Sequence, residues 1–325
     1  MDYTGLSHEK SARKGINVRP RVAIVEEIRF FTDLMSSSEP NRMSLFRALL
    51  VLGRASNLPT VWSNCFVAFV LGGAGPWNNL TPILIGATLF YLGGMYLNDA
   101  FDTQFDRKFR QERPIPSGAI SERAVWILGF GQLAVGVVCF SFVSQVPFSL
   151  SILLTSTILV YNALHKAVSY SPILMSLCRF ALFLAVASIG QDGITGLALW
   201  SAIALACYII GLSYVARRES TGGLIAFWPC LLLAFPAVLA FFVNAGPFRL
   251  SSLVLIGFYL VWVLHCLRHI YWTKSPQIGL AVSHLLAGIV LVDLMALGAG
   301  NLTWSLAMCV LFVAALLFQK FIPAT

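Results

Sequence analysis

Ten predominantly apolar runs, each close to the length that crosses a bilayer, follow one another along the 325-residue chain with only short polar segments between them. They lie near 58–75, 80–98, 122–143, 147–163, 172–190, 195–214, 223–243, 250–268, 278–298 and 302–319. A membrane-spanning helix needs about 20 such residues to match ~30 Å of hydrocarbon. The composition agrees, with 58% hydrophobic residues, 11% charged residues and a mean hydropathy of +0.80. A water-soluble globule so poor in charge would have to leave most of its surface apolar, which excludes that class. Collagen-like, disordered and disulfide-rich secreted chains are excluded by the same figures. The expectation is an all-α, polytopic integral membrane protein of nine to ten transmembrane helices. The last two runs read either as separate spans or as one re-entrant pair.

The basic residues test this reading. The tail before the first span carries Lys10, Arg13, Lys14, Arg19, Arg21, Arg29, Arg42, Arg47 and Arg54, and residues 99–121 carry Arg107, Lys108, Arg110 and Arg113. The later loops on the same side hold Lys166, then Arg217 and Arg218, then Arg268 and Lys274, with Lys320 at the end. The intervening loops hold only Arg249. This asymmetry places the N-terminus in the cytoplasm by the positive-inside rule, in the cell membrane if the source is bacterial. The net charge of +8 is thereby assigned to the membrane surface, and no nucleic-acid partner is expected. Residues 1–57 read as a cytoplasmic tail without a cleavable signal peptide, and 58–320 as the transmembrane domain. Within the tail, Val22, Ile24, Val25, Ile28, Phe31, Leu34 and Met35, and then Leu45, Leu49 and Leu52, recur at helical spacing. Both stretches suit interfacial amphipathic helices. Seven cysteines, all in apolar surroundings and at unrelated spacings, read as buried hydrophobes.

Charge near a span asks for an explanation. The stretch NDAFDTQFD, residues 98–106, concentrates Asp99, Asp102 and Asp106 beside Asn98. At about 100° per residue the three carboxylates share a narrow face of a helix. Like charges so close repel unless a cation lies between them, and hard oxygen donors with room for water and phosphate suit Mg²⁺. Arg107, Lys108, Arg110 and the RPIPSG segment at 113–118 follow at once. Acids and bases together at a membrane mouth suit a diphosphate held through metal. A solvated loop whose acids pair with its bases explains the same residues, and spacing alone leaves both readings open.

The acidic stretch resembles the first aspartate-rich motif, N-D-x-x-D-x-x-x-D, of the UbiA superfamily of intramembrane prenyltransferases. Arg54, Asn57, Pro59 and Thr60 in GRASNLPT are similar to the opening of that family's first span. RPIPSG is similar to its following loop, and YNALHK at 161–166 to its Tyr/Lys motif. The resemblance covers about residues 45–220. YNALHK, SYVARRES and LVDLMAL together resemble the divergent EboC-like branch.

The resemblance implies a helical bundle around a central cavity, and transfer of a prenyl group from a prenyl diphosphate to a membrane-associated acceptor with Mg²⁺ as cofactor. Carried over residue by residue, it implies Asp99, Asp102 and Lys166 as catalytic groups, and Asn98, Asp99, Asp102 and Asp106 as metal ligands. Diphosphate or substrate contacts fall to Arg54, Asn57, Arg113, Tyr161, Asn162, Arg179, Arg217 and Arg218. The family's second acidic motif, D-x-x-x-D, falls on GLSYVARRESTGG at 211–223, where Glu219 is the only acid and remains as a metal ligand. Guanidinium groups at Arg217 and Arg218 can neutralise phosphate in place of an ion. Two further functions stay open: a non-catalytic isoprenoid- or lipid-binding or transport protein, and an intramembrane terpene cyclase.

Five residues within or beside spans remain. Asp293 is expected to be protonated, paired or functional, because an unpaired charge there costs at least ~2.5–3.5 kcal/mol. Arg179 either snorkels to the rim or points into the cavity. His265 and His269 form an i, i+4 pair that could ligate a metal, but no carboxylate or cysteine completes a set nearby, and His269 reads as part of an interfacial girdle with Arg268, Tyr271 and Trp272. His284 lies about 180° around its helix from Asp293, so the two are not expected to meet.

Overall fold

The computed structural model describes residues 43–143, 146–221, 227–244, 246, 249–298 and 300–322, without the side chains of 146, 147 and 218–221. The tail stretch expected to be amphipathic at 22–35 therefore lies outside the described residues, as do the side chains of Arg218 and Glu219. Helices α1 (Leu45–Leu52), α2 (Leu58–Leu71), α3 (Leu80–Phe101), α4 (Thr103–Phe109), α5 (Glu122–Ser141) and α6 (Val146–Leu164) form the first half. The second half comprises α7 (Ser171–Ala187), α8 (Gly196–Thr221), α9 (Trp228–Val243), α10 (Arg249–Tyr271), α11 (Ile278–Leu297) and α12 (Leu302–Phe321). No strand occurs among the described residues.

In hydrocarbon every backbone N–H and C=O must be satisfied within the protein, which is why apolar runs of this length become helices. The polar residues between the runs start them. Ser121 accepts the Ala124 amide at the head of α5, Asn301 accepts that of Trp304 at the head of α12, and prolines enter the first turns of α2, α7 and α9. Helices α3, α5, α8, α10, α11 and α12 are each long and apolar enough to cross a membrane. Helices α6, α7 and α9 are shorter apolar helices. Helix α2 has 14 residues, ~21 Å at 1.5 Å per residue, which is less than the hydrocarbon thickness. Each of the ten apolar runs thus contains a helix, but they divide into six of spanning length and four shorter ones. The final two runs are separate 20-residue helices rather than short re-entrant segments.

The surface is the reverse of a soluble protein's. Phe142 is 84% exposed and Leu250 75%, side chains that water would penalise and lipid tails accept. Burial also ranks the helices. In α11, 67% of the span is buried inside the bundle, against 11% in α12, so α11 is central and α12 peripheral.

Lipid is as apolar as leucine, so helices associate through close packing rather than through the hydrophobic effect. The α3–α5 pair shows this. A Cβ on Gly93 would lie 2.9 Å from the Gly129 carbonyl oxygen, and one on Gly129 2.7 Å from Leu97. This backbone approach holds the end of α3 that bears Asn98 and Asp99. Gly93→Val is expected to force the helices apart and cost ~1–3 kcal/mol, read as a lower unfolding temperature in detergent. An unchanged unfolding temperature would show that the contact is loose.

Candidate active site

The acidic stretch straddles a helix junction. Helix α3 ends at Phe101, Asp102 joins it to α4, and the amides of Asp102 and Asp106 still reach the carbonyls four residues back at 3.0 and 2.9 Å. Near-helical continuity keeps the carboxylates on one side of the chain, as their spacing implies. They are not solvated. Asp99, Asp102 and Asp106 are 6, 8 and 1% exposed, which removes the solvated-loop reading.

Their partners come from three places. Arg113, returned by the RPIPSG loop, donates to Asp99 Oδ1 at 2.9 Å and lies 3.5 Å from Asp106 Oδ2. Lys166 Nζ stands 2.7 Å from Asp102 Oδ1, above the Phe105 ring, and His165 Nε2 is 3.2 Å from the same oxygen. Arg54 Nη2 approaches Asp99 Oδ1 at 3.8 Å and donates to Asn98 Oδ1 at 3.3 Å. The shared face of the three aspartates is therefore divided: Asp99 and Asp106 turn to Arg113, and Asp102 turns to the end of α6. Burial pushes the Asp102 carboxyl up, but hydrogen bonds and positive charge from His165 and Lys166 outweigh it and hold the group below its ordinary value. Burial lifts Asp106 above its ordinary value against the pull of Arg113. His165 was not singled out from the sequence; its place beside Lys166 was the available signal.

Arg54 has a left-handed backbone, φ +43° and ψ +49°, between α1 and the 3₁₀ turn Ala55–Asn57. For a side chain with a Cβ this costs roughly 1–2 kcal/mol, and it aims the guanidinium at α3. The Tyr91 hydroxyl supports the turn by donating to the Arg54 carbonyl at 3.4 Å.

Beneath this charged layer lies a cavity of about 350 Å³. Its polar members are chiefly Arg54, Asn57, Tyr161, Asn162, Arg179 and Arg217, and its walls are apolar side chains such as Phe90, Leu154, Ile158, Leu182 and Ile289. The aspartates, Arg113 and Lys166 do not line it. Two bridges connect the layers: Arg54, and the pair in which Asn98 Nδ2 donates to Asn162 Oδ1 at 3.1 Å. Asn162 is anchored in turn by donating to the Gly94 carbonyl at 3.1 Å. Arg217 donates to the Ser169 carbonyl at 2.6 Å. Tyr161 faces the cavity rather than the lipid interface.

Arg179 also points inward. It donates to the Thr60 carbonyl and hydroxyl, both at 3.1 Å, and to Asn64 Oδ1 at 2.5 Å. Asn64 passes the connection on by donating to Asp293 Oδ2 at 2.6 Å, where the Ser63 hydroxyl also donates at 2.5 Å. Asp293 is 1% exposed and lies outside the cavity wall. Its role in the fold is to tie central α11 to α2, and Asn64, which the sequence did not mark, is the link. His284 and Asp293 do not meet: Asp293 serves α2, whereas the His284 ring lies against α10.

An apolar chamber inside a bundle of apolar helices, roofed by paired acids and bases, defines a helical intramembrane protein with an enclosed site. Residues 56–277 match the UbiA prenyltransferase family, and the chain belongs to that family. Digeranylgeranylglyceryl phosphate synthase of Metallosphaera sedula is 35% identical over 98 residues, covering 30% of this chain and 34% of that protein. The synthase of the same name from Thermococcus kodakarensis is 27% identical over 161 residues, covering 46% and 56%. The matched stretches thus span from about a third to just over half of these curated relatives. Among solved structures, one described as digeranylgeranylglyceryl phosphate synthase in membranes aligns over 83% of this chain and 98% of its own, with a TM-score of 0.54 and 14% identity. A UbiA homologue from Archaeoglobus fulgidus bound to DMAPP and Mg²⁺ aligns over 84% and 99%, with a TM-score of 0.50 and 15% identity. These structural likenesses establish the shared fold.

Proposed function

We propose that the protein transfers a prenyl group from a prenyl diphosphate to a membrane-associated acceptor. The observation that carries this reading is the layering of an apolar cavity of about 350 Å³ under Arg54, Asn162 and the buried aspartates. A prenyl tail fits the lower layer and a diphosphate the upper one. Ionisation of an allylic diphosphate builds negative charge on the leaving group, and cationic groups held rigidly beside it lower the barrier. Arg54 is positioned to receive that charge, with Lys166 and Arg113 in the second rank behind the carboxylates. The dry walls of the cavity keep water from quenching the allylic cation.

The donor types fit Mg²⁺, though Arg113 and Lys166 hold the three carboxylates apart rather than gathered around one point. Asn98 and the three aspartates offer hard oxygens, and Asp106 Oδ1 is buried without a hydrogen-bond partner among the described residues. Bound there, Mg²⁺ would neutralise the departing diphosphate. The residues themselves supply the binding, orientation and exclusion of water. At the position of the second acidic motif, Arg217 lines the cavity, consistent with a guanidinium serving there in place of an ion. The N-terminus faces the cytoplasm in this reading, as the basic loops require.

The test is diphosphate release by the purified protein in nanodiscs, with prenyl diphosphates of increasing length, with and without Mg²⁺. A prenylated glyceryl phosphate belongs among the acceptors tried, because the curated relatives are named for one. Metal-dependent release coupled to a prenylated acceptor is expected. Saturable binding without release would instead support a lipid-binding or transport protein, and release with a cyclised hydrocarbon and no acceptor would support a terpene cyclase.

A further inference from the structure

Helix α11 presents two functional faces. Val282, Leu286 and Ile289 line the cavity, and His284 lies ~200° around the helix from both Val282 and Leu286. That turns its ring to α10, where His265 and His269 occupy successive turns. The ring centroids of His265 and His269 are 5.3 Å apart, and those of His284 lie 6.0 and 6.1 Å from the two. One nitrogen from each of the three can be chosen so that all lie within 4.8 Å of one another. Among the described residues this is the sole trio of His, Cys, Asp or Glu side chains to meet that condition. The pair read from the sequence as lacking a partner is completed from the next helix.

We propose that His265, His269 and His284 form a site for a divalent transition-metal ion of the zinc type, separate from the acidic layer. Three imidazoles without a carboxylate select zinc, cobalt, nickel or copper over magnesium or calcium. Reaching a metal–nitrogen distance of ~2.0–2.1 Å requires each ring to move inward by roughly 1 Å, within the swing of a side-chain torsion. Three features prepare the site. The His284 Nδ1 is buried with no hydrogen-bond partner among the described residues, a state that carries a desolvation cost until a ligand relieves it. The Trp262 indole stacks on His265 at 5.7 Å and donates to the His284 carbonyl at 3.2 Å, fixing the two helices in register. The Gln277 amide closes the connecting turn onto the His269 carbonyl at 2.9 Å. Arg268, the nearest charge on α10, is exposed. All three imidazoles lie within about two turns of the loop joining α10 to α11, so a fourth ligand position is within reach of interfacial water. The ion would pin the two helices together at that end.

The experiment uses the full chain, purified on a histidine-free tag and stripped with chelator, then titrated with Co²⁺ and Zn²⁺ in detergent. One Co²⁺ per chain with the intense visible bands of tetrahedral coordination is expected, displaced by Zn²⁺, with a rise in unfolding temperature of several degrees. In His269→Gln and His284→Gln, at least a tenfold loss of affinity is expected. A wild-type protein that retains less than a tenth of an equivalent and shows no such bands overturns the proposal. So does undiminished binding in His284→Gln. If a variant fails to fold, acylation of wild-type histidines by diethyl pyrocarbonate decides the matter. Zn²⁺ should protect His265, His269 and His284 but leave His165 reactive, and equal labelling with and without Zn²⁺ rejects the site.

Discussion

Alanine at Asp99 or at Asp102 is expected to lower diphosphate release by at least about a hundredfold, the usual loss when a charge-stabilising group is removed from a transition state. The two substitutions break different parts of the roof. Asp99→Ala leaves Arg113 with Asp106 alone and weakens the hold on Arg54, whose guanidinium spans the boundary between the acids and the cavity. Asp102→Ala leaves Lys166 and His165 without the carboxylate they share. Asp102→Asn separates geometry from charge, since the amide still bonds the imidazole but carries no charge. It should bind the prenyl tail with near-normal affinity and turn over poorly. The readout is single-turnover diphosphate release beside equilibrium binding, in protein that elutes like the wild type. Wild-type release by both alanine variants would end the assignment of the acidic layer to catalysis.

The second large effect concerns stability. Asp293→Ala is expected to cost about 3–5 kcal/mol, because it strands buried partners that cannot find water. The Asn64 amide loses its acceptor, the Ser63 hydroxyl is left with the Thr60 carbonyl alone, and Arg179 loses the carboxylate to which its hydrogen-bonded chain leads. Removing both ends together should cost less than the sum of the single changes. Arg179→Met combined with Asp293→Leu replaces a polar network with apolar groups that fill similar space. Unfolding temperatures for the two single variants and the double variant form the cycle. Strict additivity would show that the groups act independently and that Asn64 is no link.

The two predictions occupy different levels of the molecule. The aspartates lie where α3 leaves the bundle and lipid gives way to the polar roof. The Arg179–Asn64–Asp293 chain lies deeper, where a polar group keeps its place only by finding partners among the helices. The bundle can carry this buried network because α11, which bears Asp293, is enclosed on most sides.

Much of this organisation is already present in the amino-acid order. Ten apolar runs specify helices, because hydrocarbon leaves the backbone no other partner for its hydrogen bonds. The 98–106 spacing groups three carboxylates on one side of the chain, RPIPSG supplies a cation in the loop that follows, and YNALHK supplies one within a few residues of a span end. What local order cannot specify is contact between distant turns. Asn64 and Asp293 are 229 residues apart, and only the packing of α2 on α11 brings them together. The division of the aspartates between Arg113 and Lys166 follows from where the loop after α4 and the end of α6 come to rest. The i, i+4 spacing of His265 and His269 is visible in the sequence, but their third partner is not. His284 reaches them because α10 and α11 pack with their histidine faces turned inward, a relation set by two helix rotations rather than by any local spacing.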